Sequence, residues 1–273
     1  MNAIAEAYVA ACLAELDALK PGNVHRHAEG HGMTVADFET SARVSAVGVA
    51  RRGARVGARV LEAIRATRAA AGQNTNLGIV LLCAPLAAAA ERGADVAAVL
   101  DDLDADDARD VFAAIALANP GGLGTLEQND VREPPRVSLR EAMSAAAERD
   151  LVARQYQRGF ADVLGFGAPA YEKARAAGAD AAEATTAVYL AFLAAEPDSH
   201  IARKFGRETA EAVRRDAATR VGALGGADLA AWDRELKARG LNPGATADLT
   251  VASVFAAYLA SRRDEKLAAP AQQ

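Results

Sequence analysis

Five polar, glycine-bearing segments interrupt a chain otherwise rich in alanine, and they concentrate the side chains able to do chemistry. The first, Lys20-Pro21-Gly22-Asn23-Val24-His25, runs on to His27 and His31. A helix end followed by Pro-Gly exposes backbone groups, and Lys20 and His25 offer cationic or donor groups to a phosphate. Three close histidines also suit a metal, but their spacing matches no familiar zinc pattern. In the second, Asn74-Thr75-Asn76-Leu77-Gly78, a capping Asn or Thr, free helix-end N–H groups and a glycine allowing close approach would make an anion site. The third, Gly121-Gly122-Leu123-Gly124, leads to Asp130 and Arg132. It follows no strand, so it is no dinucleotide fingerprint. The fourth is Asp198-Ser199-His200-Ile201-Ala202-Arg203-Lys204-Phe205-Gly206. On a helix, His200, Arg203, Lys204 and Arg207 fall at i, i+3, i+4 and i+7, one cationic stripe beside Asp198. Such a stripe suits a polyphosphate, with Asp198 available to its magnesium. The fifth, Asn242-Pro243-Gly244-Ala245-Thr246-Ala247-Asp248-Leu249, has Thr246 placed as an N-cap and Asp248 as a first-turn acid, metal ligand or general base. Each segment has a plain structural counterpart as well: a helix stop, a cap, a solvated charged face or a dipole-compensating acid.

In order, and from Lys20 to Leu249, these segments resemble the triphosphoribosyl-dephospho-CoA synthase family, also described as ATP:dephospho-CoA triphosphoribosyltransferase. Lys20-Pro21-Gly22 is similar to its Lys-Pro-Gly segment, Asn74-Thr75-Asn76-Leu77-Gly78 to its Asn-Thr-His-Lys-Gly segment, and Thr246-Ala247-Asp248-Leu249 to its Ser-Ala-Asp-Leu segment. Asp198-Ser199 with Arg203 resembles its penultimate motif. The resemblance implies an all-helical fold and transfer of a triphosphoribosyl group from ATP to an acceptor hydroxyl, with adenine released, in prosthetic-group biosynthesis. It implies that Lys20, His200, Arg203 and Lys204 hold phosphate and that Asn74 and Thr75 supply helix-end donors. Asn23, His25, Asn76 and Gly78 lie in the same substrate-facing segments. Asp198 and Asp248 would bind magnesium or take the acceptor's proton, and Asp130 is a third candidate carboxylate.

Three departures from the family pattern change the charge of the expected site. Asn76-Leu77 replaces His-Lys, His25 stands where the family has an acid, and Gly121-Gly122-Leu123-Gly124 replaces a Gly-Glu-Ala stretch. Alternatives are therefore a divergent member acting on another phosphorylated donor or acceptor, a helical metal-dependent phosphohydrolase, and a non-enzymatic ligand-binding protein. For the phosphohydrolase there is one ExxE pair, Glu208 with Glu211, but no His-Asp dipeptide.

The elements that must position these segments read as helices. Ile4, Val9, Leu13, Leu16 and Leu19 share one side of a first amphipathic helix, with Glu6, Glu15 and Asp17 between them, ending at Lys20-Pro21-Gly22. Thr34 with Asp37 predicts a capping box opening a helix that continues through Val56, with Gly72 as a later stop. Leu77 to Ala90 is apolar almost all round and predicts a buried central helix. Residues 105–118 read as a helix led by Asp106 and Asp107, and Ser138 with Glu141 caps one carrying Met143, Leu151 and Tyr156. Further helices are expected over 169–177, 181–195, 199–221, 228–239 and 247–261. No alternating strand pattern, linker or repeat divides the chain, so an all-α catalytic domain over 1–265 with a frayed tail over 266–273 is expected.

The chain's 273 residues, 51% of them hydrophobic, suffice for a large core, and only 5% are aromatic, which disfavours both a β-sandwich and recognition of adenine by extensive stacking. A net charge of −5 argues against binding nucleic acid, leaving small phosphorylated substrates as partners and a homo-oligomer open. Cys12 and Cys83 lie in apolar patterns and read as buried free thiols, in keeping with a cytoplasmic protein. Glu6 sits where a signal peptide would be basic, and the apolar run Ile79–Ala90 holds Pro85 and is too short to span a bilayer.

Overall fold

The computed structural model describes residues 2–119, 137–220 and 226–268, and in these the fold is all-α. The first half comprises α1 (Ala3–Asp17), α2 (Val35–Val49), α3 (Val56–Ala71), α4 (Leu77–Arg92), α5 (Val96–Asp101) and α6 (Ala105–Ala118). The second comprises α7 (Leu139–Ser144), α8 (Leu151–Gln157), a π-helical turn Val163–Gly167, α9 (Ala168–Ala176), α10 (Ala181–Ala195), α11 (Ser199–Phe205), α12 (Arg207–Arg220), α13 (Gly226–Ala238) and α14 (Gly244–Ala268).

Local chemistry explains most helix starts. Capping boxes at Thr34/Asp37, Asp104/Asp107, Ser138/Glu141 and Asp180/Glu183 each satisfy backbone donors that the first turn leaves unpaired. Gly72 ends α3 with φ of 70°, as the sequence predicts.

Three expected helices are broken. The stretch expected to run through Val56 turns between Ala50 and Arg55, where buried Arg59 donates to the Val49 and Ala54 carbonyls and pairs with Glu91 at 2.6 Å. The helix expected to carry Met143, Leu151 and Tyr156 divides into α7 and α8, because the Asp150 side chain caps α8. The helix expected from Ser199 divides at Gly206, whose φ of 90° lies outside the helical region. Conversely, α14 begins at Gly244, so Thr246 is a first-turn residue instead of a cap, and the helix runs past 265 to Ala268.

The main core is built by α1, α4 and α14, packed together and against α2, α8, α9 and α10. Tyr8 of α1 meets Phe255 of α14 edge-on at 5.9 Å. A smaller apolar cluster, including Tyr189, Ile201, Val213, Trp232 and Leu236, joins α10 through α13 to the start of α14. Helix α4 is buried on nearly every side although it contains Pro85. Proline has no N–H for the carbonyl four residues earlier, which is Leu81's. The buried Tyr156 hydroxyl donates to that carbonyl at 2.7 Å. Cys12 and Cys83 are buried free thiols. Among the described residues no helix is long and apolar enough to cross a membrane.

Candidate active site

A cavity of about 830 Å³ opens where the N-terminus of α4 meets the end of α1, the start of α14, and helices α6, α8 and α11. Part of its lining is apolar, with Leu81, Phe112, Ile115, Met143 and Val152. The lining also includes Asn74, Thr75, Asn76, Gly78, His200, Arg203 and Asp248, so segments far apart in the sequence converge. A concave, largely apolar surface with a few converging polar groups is the usual form of a small-molecule site.

The α4 end is held by its own polar residues. Asn74 Oδ1 accepts from Leu77 N at 3.2 Å, and Thr75 Oγ1 donates to Ser41 Oγ at 2.6 Å. Asn76, 4% exposed, donates through Nδ2 to Ser45 Oγ at 3.1 Å, and its Oδ1 has no partner among the described residues. A buried polar atom left unpaired costs roughly 1–3 kcal/mol, borne locally by the α4 end. Leu77, in the place of the family's Lys, is buried apolar lining and offers no charge.

Asp248 lies across the first turn of α4. A Cβ added to Gly78 would sit 2.0 Å from Asp248 Oδ2, so glycine is what lets the carboxyl approach the helix end. Burial holds this carboxyl well above the usual carboxylate range, reinforced by Asp198, Glu15 and Asp150 and opposed by Arg203. No described residue gives it a hydrogen bond.

Glu15 is the acid that sequence patterning misplaced: expected on the polar side of α1, it is 3% exposed and lines the cavity. Its signal was Lys20, five residues on. The Lys20 amine bonds Glu15, Asn23 Oδ1 at 2.9 Å and the Val24 carbonyl at 2.7 Å. Burial pushes Glu15 up and Lys20 down, while each partner holds the other charged. Fully buried and with all three protons used, Lys20 is a brace beneath the site; it does not line the cavity and cannot hold phosphate as the sequence led us to expect. Asn23 does line it, and donates to Asn242 Oδ1 at 2.7 Å. The loop's turn requires Gly22, whose φ is 82° and whose added Cβ would meet the Leu241 carbonyl at 2.8 Å.

Asp198 departs furthest from expectation. One oxygen accepts from His200 N and Ile201 N at 2.8 and 3.0 Å; the other accepts from Thr246 N and Oγ1 at 2.8 and 2.9 Å. Fully buried and saturated, it clamps α11 to α14 and has no oxygen for magnesium or a proton transfer. His25 is likewise outside the cavity, 2% exposed, 3.3 Å from Asp233 Oδ2 and 3.4 Å from Lys237 Nζ.

The cationic stripe survives only in part. Gly206 separates Arg207 onto α12, and Lys204 lies over the Phe205 ring, away from the cavity. His200 lines the cavity, but burial lowers its pKa below the ordinary value, so at pH 7 it is a neutral hydrogen-bonding group. Arg203 remains, paired with Asp150 Oδ2 at 2.5 Å. Two residues that sequence reasoning missed, Arg68 and Arg149, stand at the exposed rim, and His31 of the first segment also lines the cavity, its Nε2 contacting the Gly22 carbonyl at 2.8 Å. Arg68 and Arg149 carried no motif to mark them. Asp130, Arg132 and the segment Gly121-Gly122-Leu123-Gly124 lie outside the described residues.

Among the described residues no group of three or more His, Cys, Asp or Glu side chains is arranged to hold a metal ion. With Asp198 saturated and Glu15 tied to Lys20, these residues do not fit a resident magnesium. The ExxE pair offers no alternative, because Glu211 is bound to Arg214 on α12, outside the cavity.

Comparison with known proteins bears on the fold and the family. The family model CitG, ATP:dephospho-CoA triphosphoribosyl transferase, matches residues 1–266. A solved structure from Archaeoglobus fulgidus, provisionally assigned as a triphosphoribosyl-dephospho-CoA synthase, is similar at a TM-score of 0.64 and 26% identity, over 82% of this chain and 97% of that one. No curated protein matches the sequence.

Proposed function

Since the chain belongs to the ATP:dephospho-CoA triphosphoribosyl transferase family, and so is a transferase of triphosphoribosyl groups in cofactor biosynthesis, we propose that the cavity at the α4 N-terminus is where ATP and the acceptor react. The observation that carries this is one cavity combining Asp248, a carboxyl that no described residue hydrogen-bonds, with a helix N-terminus, Arg203 and an apolar lining.

Each part meets a physical need of glycosyl transfer. The bond from ribose C1′ to the base breaks toward an oxocarbenium-like state, by analogy with glycoside hydrolysis, and that state must be held away from water. Phe112, Ile115 and Met143 give the cavity an apolar lining that would help keep water from that state. Arg203, Arg149 and Arg68 would meet the triphosphate at the open side, and His31 and His200 would add hydrogen-bonding contacts. Asn74, Thr75 and the α4 end fix the position of the wall against which the ribose lies. Of the three carboxyls that line the cavity, Asp150 is committed to Arg203 and to capping α8, and Glu15 and Asp248 are the ones left to move protons. Magnesium enters with ATP, carried on the phosphate oxygens as part of the substrate.

The test is incubation of the purified protein with magnesium, ATP and dephospho-CoA, followed by mass spectrometry. Free adenine together with a dephospho-CoA adduct enlarged by triphosphoribose is the expected result. Release of phosphate without adenine would favour hydrolysis and overturn the transfer reading. Adenine without the dephospho-CoA adduct, with a different adduct in a metabolite extract, would identify another acceptor.

A further inference from the structure

We propose that Glu15 is the base of the transfer, its Oε2 taking the proton of the acceptor hydroxyl as that oxygen bonds to ribose C1′, and that the buried Lys20 amine is the positioning residue behind it. This deepens the transfer reading above and rests on it.

Glu15 lies near the end of α1, and the small part of its side chain that is exposed faces the cavity it lines. Its Oε1 accepts from the Lys20 amine. That amine is fixed in turn, because its other two protons go to Asn23 Oδ1 and the Val24 carbonyl in the loop after α1. Oε2 differs: no described residue bonds it, yet it is not among the sealed, unpartnered side-chain oxygens, as Asn76 Oδ1 is. The carboxylate therefore has one oxygen anchored and one open to the cavity.

An ion pair buried this deeply is a weak way to stabilise a fold, since desolvation offsets the attraction. At a cavity wall it has another use, keeping a carboxylate charged where water is scarce. Burial alone would favour the neutral acid, and the bonded ammonium opposes it. The other ionisable groups facing Glu15 are Cys12, Tyr189 and Asp248, none of them a cation. The remaining acids of the cavity are less suited to be a base. Asp150 gives one oxygen to the α8 cap and the other to Arg203. Asp248 has no bonded cation, and burial together with Asp198, Glu15 and Asp150 favours its protonated form. Two carboxyls whose surroundings separate them in this way take the base and acid roles.

In the step itself the C1′–N9 bond breaks and its electron pair stays with the purine, which takes the Asp248 proton and leaves as neutral adenine. The acceptor oxygen bonds to C1′ and its proton passes to Glu15 Oε2. Exchange with solvent then removes that proton and returns one to Asp248.

Glu15→Gln, which keeps an acceptor for Lys20, should be compared with the wild-type protein on magnesium-ATP with two acceptors, dephospho-CoA and azide. Azide is an anion with no proton to lose, so its attack on C1′ needs no base. With dephospho-CoA the variant should lose at least about 100-fold in kcat, in line with loss of general base catalysis. With azide, formation of triphosphoribosyl azide should agree within about threefold between the two proteins. Unchanged transfer to dephospho-CoA, an equal loss with both acceptors, or no azide product from the variant overturns the proposal. Glu15→Gln combined with Lys20→Met leaves no buried charge unpaired and should repeat the pattern if the single variant fails to fold. The part played by Lys20 is read from pH. A base acts only when deprotonated, so activity falls as pH drops through its pKa. In Lys20→Gln, which keeps a donor but no charge, that fall should begin at least about one pH unit higher. A uniform loss at every pH would make Lys20 merely structural, and an acid limb abolished by His200→Gln would give the base role to that imidazole. Failure of the wild-type protein to release adenine with either acceptor would refute the transfer reading itself, and the proposal with it.

Discussion

Replacing Gly78 by alanine isolates the geometry of the site from its stability. An added Cβ would lie 2.0 Å from Asp248 Oδ2 and 2.5 Å from its Cγ, where real contacts are essentially never under 3.0 Å, so the carboxyl must retreat by about 1 Å. The obstructing atoms end a side chain that can rotate, so the strain should stay near the low end of the 1–3 kcal/mol typical of overpacking, or about 1 kcal/mol. Alanine inside a helix recovers about 0.8–1 kcal/mol relative to glycine. The two terms nearly cancel, and Tm should move by less than about 4 °C. Catalysis has no such compensation. Displacement of a reacting group by about 1 Å can cost on the order of 100-fold, and that loss is expected in adenine release from ATP. Thermal unfolding beside a turnover assay reads both quantities. Full turnover in Gly78→Ala would refute the placement of Asp248 at the reacting centre, whereas a large fall in Tm would refute the cancellation.

Four further outcomes follow from the contacts described. Asp198→Ala should destabilise the fold by roughly 3 kcal/mol or more, the sum of a lost cap and two buried donors left unpaired, measured by denaturant unfolding; a variant as stable as the parent but inactive would restore Asp198 to the chemistry. Lys20→Met should cost about 3–5 kcal/mol by leaving Glu15 buried and unpaired, and adding Glu15→Gln should recover much of it, which a phosphate-binding role for Lys20 would not produce. Arg203→Ala should weaken ATP binding about tenfold by calorimetry, as loss of a charge-assisted contact implies, while Lys204→Ala leaves it unchanged; equal effects would reinstate the stripe. The fourth concerns Asp248, which faces Glu15, Lys20, Cys83, Asp150, Asp198 and Arg203. Its folded pKa lies above its unfolded one, so the fold prefers the protonated acid and loses stability as pH rises from the ordinary carboxylate range through the folded pKa. Asp248→Asn should therefore have a higher Tm than wild type at pH 8, the gap closing toward pH 4; a lower Tm at pH 8 would overturn this.

What the sequence discloses here is mainly what local rules govern. The caps at Thr34 and Ser138 lie within three residues of their partners, and α4 is apolar enough to be read as buried without knowing its neighbours. Asn74, Thr75, Asn76, Gly78, His200, Arg203 and Asp248 were all legible as polar interruptions, and all line one cavity. Polar type alone does not tell which groups are already committed. Lys20 and Asp198 have the same residue types as ligand-binding groups, and partners at 15 and 246 consume them. Glu15 shows the converse, an acid whose periodicity reads as solvent-facing until a buried lysine explains it. The break at Gly206 matters more than its small size suggests, because carrying a helix through it put Arg207 on a face it does not share.

The bond from Tyr156 to the Leu81 carbonyl also constrains the order in which this chain can drift. Pro85 creates the need for that bond, and the tyrosine hydroxyl meets it from a helix 71 residues away in sequence (156 minus 85). A change of Tyr156 to phenylalanine while Pro85 remains strands a buried carbonyl, but the same change is nearly neutral once position 85 carries a residue with an N–H. The path through residue 85 first is open and the reverse path is closed. These two positions should therefore vary as a pair among relatives, with proline at the first accompanied by a hydroxyl-bearing partner at the second.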